Sequence, residues 1–416
     1  MREFLEKMFR AAIAAADPAL VVPQFLPPPR KGRTIVVGAG KAAASMARAV
    51  EDNWSGDLEG LVVTRYGHGV PCSRIEVVEA AHPVPDAAGQ AAAGRILQSV
   101  QALSPDDLVL CLISGGGSAL LSWPATGLTL ADKQAINKAL LVSGAPIGEM
   151  NIVRKHLSAI KGGRLGAAAY PAHVVTLVIS DVPGDDPAVV ASGPTVADGS
   201  TFAQARDILT RYAISEPAAA VAHIMRGEDE TPKPGDPRFA TSEVHVIATA
   251  LKSLDAAAEV ARAQGYAPVI LGDALEGEAR ELGAQHAKVV CDILAGQSDI
   301  KRPCVLLSGG ETTVTVRGSG KGGRNAEYML GLTLGVNGAA GVYALAGDTD
   351  GIDGSEANAG VLMDPQTLAR ARARGMDAKL FLDGNDAYSF FETTDDLVFT
   401  GPTLTNVNDF RVILIQ

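Results

Sequence analysis

Cysteine is scarce: Cys72, Cys111, Cys291 and Cys304 are the four in a chain of 416 residues. Their spacing matches no metal-ligand pattern and suggests no disulfide framework. Cys111 and Cys304 sit inside apolar runs, where a cysteine usually serves as a small hydrophobe. No apolar run reaches the ~20 residues that a membrane-spanning helix needs, and no secretory signal is visible. The chain starts instead with Arg2, Glu3, Glu6 and Lys7 interleaved with Phe4, Leu5, Met8 and Phe9, the pattern of an amphipathic helix. Basic residues are outnumbered, 36 Lys and Arg against 47 Asp and Glu, for a net charge of -11. That balance argues against nucleic acid or an anionic membrane as partner. The expected location is the cytoplasm. An acidic protein that handles an anionic substrate must gather its few cations locally.

What is abundant is glycine, 45 residues, and alanine, while aromatics make up 5%. This suits α/β layers with many tight strand-to-helix turns, and the length predicts two domains. Strands are expected at Thr34–Val37, Gly60–Thr64, Leu108–Ile113 and Val174–Ile179. The first ends in Gly38-Ala39-Gly40-Lys41 with a helical Ala42–Arg48 behind it, a G-x-G-x-x-A match at a strand-to-helix junction. Lys41 would add a point charge for a phosphate there; it reads equally as a surface lysine on a tight turn. After the second strand comes Arg65 rather than the acidic residue that usually holds a dinucleotide ribose. The third ends in Ser114-Gly115-Gly116-Gly117-Ser118, glycines that would expose backbone N–H groups where open α/β sheets bind ligands. Arg154, Lys155, Lys161 and Arg164 cluster further on, either as a ligand site or as a solvated helix face. The fourth strand ends in Ser180-Asp181, with Asp185 close behind, carboxylates suited to a cation or a substrate hydroxyl.

Residues 226–238, RGEDETPKPGDPR, are polar and proline-rich, the best linker in the chain. A second α/β unit is expected to start at Val244–Ile247 and to run through strands at Ala267–Leu271, Val342–Leu345 and Arg411–Ile415. Its densest stretch is residues 303–330, PCVLLSGGETTVTVRGSGKGGRNAEYML. An apolar strand Cys304–Leu307 is followed by a predicted turn at Ser308-Gly309-Gly310, then Glu311, then an alternating second strand Thr312–Val316. Gly318 to Gly323 carry Lys321 among them and lead to Arg324 and Asn325 at a helix start, a setting that suits an anion. Asp348, Asp350 and Asp353 lie among glycines like a cation loop, without the distal glutamate of a calcium hand. The tail loop 401–409 is crowded with hydrogen-bonding side chains, Asn408 among them.

Taken together, Gly38–Ala42, Ile113–Leu121, Asn151–Leu165, Ser180–Asp185, Ser192–Thr195, Leu307–Asn325, Ala346–Gly354 and Gly401–Asn408 closely resemble the glycerate 2-kinases of the MOFRL type, some of which are labelled hydroxypyruvate reductase. The resemblance covers nearly the whole chain. It implies ATP-dependent phosphorylation of the 2-hydroxyl of D-glycerate with Mg2+, and leaves a homodimer open. It also implies a Rossmann-like parallel-sheet domain over residues 1–225 and a linker over 226–240. A smaller mixed α/β domain over 241–416 would follow, with the active-site cleft between the two domains. The family's functional lysine and arginine fall on Lys41 and Arg324; Asp181 is a further candidate catalytic residue, and Asp181, Asp185, Asp348, Asp350 and Asp353 are the pool from which a proton acceptor and a metal ligand would come. Candidate substrate and nucleotide contacts are Gly38, Gly40, Ser114, Gly115, Gly116, Ser118, Arg154, Lys161, Ser308, Gly309, Gly310, Glu311, Asn325 and Asn408. Candidate metal ligands are Asp348, Asp350 and Asp353. No Walker A motif is present, so the nucleotide mode differs from a P-loop, and which glycine loop takes ATP and which takes glycerate stays open. Two other readings stand beside this one. A nicotinamide-dependent reductase would use the G-x-G-x-x-A turn but lacks an evident His–carboxylate pair. A non-catalytic binder of sugar acids or phosphates would gain nothing from clustered aspartates.

Overall fold

The computed structural model describes residues 1–416. The chain divides into two compact units, Pro18–Ile247 and a second unit formed by Met1–Asp17 with Ala248–Gln416. The first contains a six-stranded sheet of β1 (Thr34–Ala39), β2 (Glu59–Arg65), β3 (Ile75–Ala80), β4 (Leu108–Ile113), β5 (His173–Ile179) and β6 (Ser242–Ala248) in the order β3-β2-β1-β4-β5-β6. β3, β2, β1, β4 and β5 run parallel. β1 and β4 are buried along their whole length, which explains their uninterrupted apolar sequence. This is a Rossmann-like order, with its crossover reversal between β1 and β4. Ligands of such sheets sit at the carboxyl ends of the strands flanking that reversal.

The second unit holds a mixed sheet of β7 (Ala267–Gly272), β8 (Cys304–Gly310), β9 (Val342–Asp348), β10 (Gly360–Met363), β11 (Leu397–Val398) and β12 (Asp409–Ile415), in the order β11-β10-β9-β12-β8-β7. β12 runs antiparallel between β8 and β9, so Asp409 pairs with Gly310 on one side and Asp348 on the other. One face of this sheet packs on helices Ala279–Leu294 and Arg324–Val336. The other is covered by helices Arg2–Ala14 and Ala250–Arg262, through Leu5, Met8, Phe9, Leu254 and Ala258. No helix is long and apolar enough to cross a membrane.

Four expectations are corrected. The domain boundaries differ: the first helix belongs with residues 248–416, and β6 completes the first sheet instead of opening a second unit. Residues 226–240 are tied down within the first unit: Glu230 takes a hydrogen bond from His156, Thr231 donates to Asp198 and Asp229 pairs with Arg164. Residues 312–316 form no strand. Glu278 holds the Thr315 amide and Asn385 the amides of Arg317 and Gly318, so side chains replace a strand partner. Ser308-Gly309-Gly310 is no turn but the end of β8, in register with Arg411, Phe410 and Asp409.

Candidate active site

In the first unit the turns after β1 and β4 are locked together at the reversal point. A Cβ on Gly38 would lie 2.3 Å from the Leu112 carbonyl oxygen, and one on Gly40, at φ 141°, would lie 2.2 Å from Ser114 Oγ. Only glycine allows this approach. The loop amides are then spent internally: Gly40 N–H donates to Val63 O, Lys41 N–H to Gly115 O, Ala42 N–H to Ser114 Oγ and Ala43 N–H to Gly40 O. The turn expected to cradle phosphate by its backbone therefore has its donors occupied. The Lys41 side chain runs past Gly116, which takes the left-handed conformation at φ 80° with the His82 imidazole on its other flank. Ser118 Oγ bonds to Ser192 Oγ at 2.7 Å, and its carbonyl receives Lys161 Nζ at 2.7 Å. Asp181 follows β5, beside β4 in the sheet, so it lies at this same edge, half-buried.

Arg154 reaches Asn137 Oδ1 through Nε at 2.7 Å and through a terminal nitrogen, and Asn151 Oδ1 at 3.2 Å. Burial lowers its pKa. Lys161 is held well below the ordinary lysine range by burial first, then by the like charges of Lys133 and Arg154. Burial also pushes the Lys133 ammonium down to about 7. Sequence reading missed Lys133: nothing in a helix pattern says that its tip is enclosed.

In the second unit the residues converge where β8 and β9 end and β12 begins. Arg324 opens its helix and spends all three guanidinium nitrogens on carboxylates: Nε on Asp409 at 2.7 Å, one terminal nitrogen on Glu311 at 2.6 Å, the other on Asp348 at 2.8 Å. Burial opposes its charge, but Asp409, Asp348 and Glu311 outweigh that and raise its pKa far above the usual range. Asp409, which sequence reading passed over, is the hub. It also takes Asn325 Nδ2 at 2.8 Å and Arg411 at 2.5 Å. Arg411 is fully buried, donates to Gly309 O at 3.1 Å and lies over the Tyr328 ring. Arg411 was hidden by its place on an apolar terminal strand, and Asp409 by its place among the many polar residues of the loop before it.

Asp353 is corrected. It is completely buried, and its two oxygens receive the amides of Asn325 and Ala326, each at 2.9 Å, so it caps the Arg324 helix instead of facing a cation. Burial raises its pKa to about 6 against those hydrogen bonds. Asp348 Oδ1 accepts the Asp350 amide, and Asp350 Oδ1 the Ile352 amide. No group of three or more His, Cys, Asp or Glu side chains stands where it could hold a metal ion. Gly309 and Gly310 are no anion cradle either. A Cβ on Gly310 would lie 2.2 Å from the Leu275 amide nitrogen, and Gly309 O accepts that amide's hydrogen bond. Asn408, at φ 66°, offers its carbonyl to Thr349.

Comparison with known proteins now adds the family. The profile of the MOFRL family matches residues 304–409, and that of a domain of unknown function (DUF4147) matches residues 4–226. A Thermotoga maritima protein named D-glycerate 2-kinase is 39% identical over 100% of this chain and 98% of its own. The chain belongs to the MOFRL-type glycerate kinase family. A crystal structure of glycerate kinase from Thermotoga maritima superposes with a TM-score of 0.91 at 38% identity, covering 100% of this chain and 99% of that one. An Agrobacterium vitis protein with a provisional hydroxypyruvate reductase name is 53% identical over 100% of this chain and 94% of its own. One family therefore carries both names, and the site geometry has to weigh them.

Proposed function

We propose that the protein transfers the γ-phosphoryl group of ATP to the 2-hydroxyl of D-glycerate, giving 2-phospho-D-glycerate and ADP. The observation that carries this reading is the chain-long likeness to the Thermotoga 2-kinase in sequence and fold. The chemistry needs positioned cations and a proton acceptor more than covalent catalysis. The hydroxyl oxygen bonds to phosphorus, the bond to the ADP oxygen breaks, and the hydroxyl proton passes to Asp181. Arg324 supplies a cation for the transferring group, and Lys41 is the candidate cation of the first unit. Glu311 is the most exposed of the three Arg324 partners, so its displacement frees one terminal nitrogen for a phosphoryl oxygen.

The hard oxygen donors of Asp348 and Asp350 fit magnesium, which takes one or two carboxylates with phosphate oxygens and water. Asp353 does not, since both its oxygens cap a helix. When bound, magnesium would supply charge neutralisation on the phosphates. Asp348, whose oxygens take the Asp350 amide and an Arg324 nitrogen, would hold it at the strand edge by giving up the arginine contact.

The reductase name is met by two observations against it. The amides at the G-x-G-x-x-A turn, which would bind a dinucleotide pyrophosphate, are bonded within the protein. The His–carboxylate contacts lie elsewhere: His156, wholly buried beside Phe202, meets the exposed Glu230, and His173 meets Glu243 at the amino end of β5, opposite the ligand edge. The deciding experiment incubates purified protein with D-glycerate and MgATP and, separately, hydroxypyruvate with NAD(P)H. ADP should form only when glycerate and a divalent cation are both present, and positional analysis should find the phosphate on the 2-oxygen. NAD(P)H oxidation without ADP formation would overturn the kinase reading.

A further inference from the structure

Three cations of the first unit stand together without a counter-charge. Lys133 lies in the first turn of helix Leu130–Val142, Arg154 in the last turn of helix Ile147–His156, and Lys161 in the turn that follows. Asn137 is one turn after Lys133 on the same helix face, and its side-chain oxygen holds Arg154. No ion pair involves any of the three. Lys133 Nζ is enclosed and has no hydrogen-bond partner at all, while Lys161 Nζ has one carbonyl, that of Ser118. The nearest acidic residue in sequence, Asp132, is turned back onto Thr129 in a capping box. Lys155 has its own partner in Asp198, so it is not part of this set.

Placing a lysine there costs the fold twice. An enclosed, unpaired ammonium is expensive, and the amide end of a helix repels a cation while attracting an anion. A negative ligand would offset that cost and hold the lysine in its charged form. Arg154 has spent three of its N–H donors on asparagine oxygens, out of the five a guanidinium carries, so two remain in a fixed plane. The cluster also adjoins the ligand edge of the sheet: Lys161 touches the Ser118 carbonyl. Gln134, beside Lys133, bonds Pro85 O, in the loop whose His82 flanks Gly116.

The geometry points to a compact oxyanion site, for a carboxylate or a phosphoryl group of one substrate, built from Lys133, Arg154 and Lys161, with Lys133 as its unassigned member. That the anion belongs to D-glycerate or to ATP rests on the kinase reading; the existence of the site does not. The test uses the full-length protein and Lys133→Met, which keeps the stem and removes the charge. Without ligand, K133M should melt higher than the parent by roughly 2 °C or more. Millimolar inorganic phosphate, D-glycerate and ADP are then added separately to both proteins, and KM is measured for glycerate and for ATP. Phosphate should stabilise the parent and not K133M. The thermal shift with one substrate should vanish together with a tenfold or greater rise in that substrate's KM, while the other KM stays within twofold. Loss with D-glycerate identifies a carboxylate site, and loss with ADP a phosphate site. Unchanged shifts for all three ligands overturn the inference, and so does a K133M that is destabilised or unfolded, because Lys133 would then serve the fold. If the parent makes no ADP, the kinase reading falls, and the phosphate shift in K133M still decides this site. A second variant, Lys133→Arg, keeps the charge and should keep the phosphate shift.

Discussion

Arg324 is neutralised before any ligand arrives, because three carboxylates already occupy its nitrogens. Arg324→Met should lower kcat by about a thousandfold if it acts on the transferring phosphoryl group. It should also cost about 3 kcal/mol of stability, because Asp348 and Asp409 are left buried against each other. Arg324→Lys should recover part of the stability and little of kcat, since an ammonium cannot span three partners. Near-normal turnover in either variant would remove Arg324 from the mechanism. The surrounding carboxylates divide by burial. Asp409→Asn should be strongly destabilising, on the order of 3 kcal/mol, because Arg411 loses its only ion pair in the interior. Glu311→Gln should change stability by less than about 1 kcal/mol. Chemical denaturation of the pair measures both, and equal losses would refute the ranking.

At the scale of elements, the helix Arg324–Val336 is held at its start by a side chain from another loop, not by a local cap. Asp353→Ala should cost about 2 kcal/mol, and amide hydrogen exchange at the start of that helix should accelerate first. Exchange rates that match the parent would leave Asp353 without a capping role. The buried strands were legible because their pattern is unmistakable: Leu108–Ile113 is apolar throughout, and the amphipathic start read over residues 2–9 is the helix Arg2–Ala14. Ile75–Ala80, whose Glu76 and Glu79 interrupt the apolar run, and the four-residue Gly360–Met363 were not read. Residues 312–316 misled, because alternation reports exposure on a pleat only where a neighbouring strand exists to pair with.

At the scale of the molecule, the second unit needs its first helix from the far end of the chain. Leu5, Met8 and Phe9 are fully buried against its sheet, worth about 6 kcal/mol together. A chain beginning at residue 18 should therefore lose most of the stability of its second unit, while residues 18–247 expressed alone should fold. Calorimetry would show one early and one unchanged transition; an unshifted second unit would contradict this. Acid sensitivity should come partly from His286, whose ring nitrogen meets the Tyr328 hydroxyl at 2.7 Å. Burial, and then Arg411, pushes its pKa down to about 4, below the ~6.5 of an unfolded histidine. Between those values the unfolded chain binds more protons, so stability is full above pH 6.5 and falls as pH drops towards 4, by up to about 3 kcal/mol. His286→Gln should flatten that limb of the melting profile; an identical slope would assign the acid loss to other groups.

Sequence alone determined the α/β class, the buried strands, and the loops at their ends in which Lys41, Ser114–Ser118, Asp181, Arg324 and Asp348 stand. Those follow from local period and from turn chemistry, which act between near neighbours in the chain. Only the tertiary structure decided what those residues touch. It spent the Gly40, Lys41 and Ala42 amides on Val63, Gly115 and Ser114, turned Asp353 into a helix cap and made β12 residue Asp409 the centre of the charge network. It also enclosed Lys133 beside Arg154 and Lys161 with no carboxylate to balance them. Hydrogen bonding and charge pairing depend on which distant segments meet. A glycine, an aspartate or a lysine has the same letter whether its polar groups are free for a ligand or already satisfied by the fold.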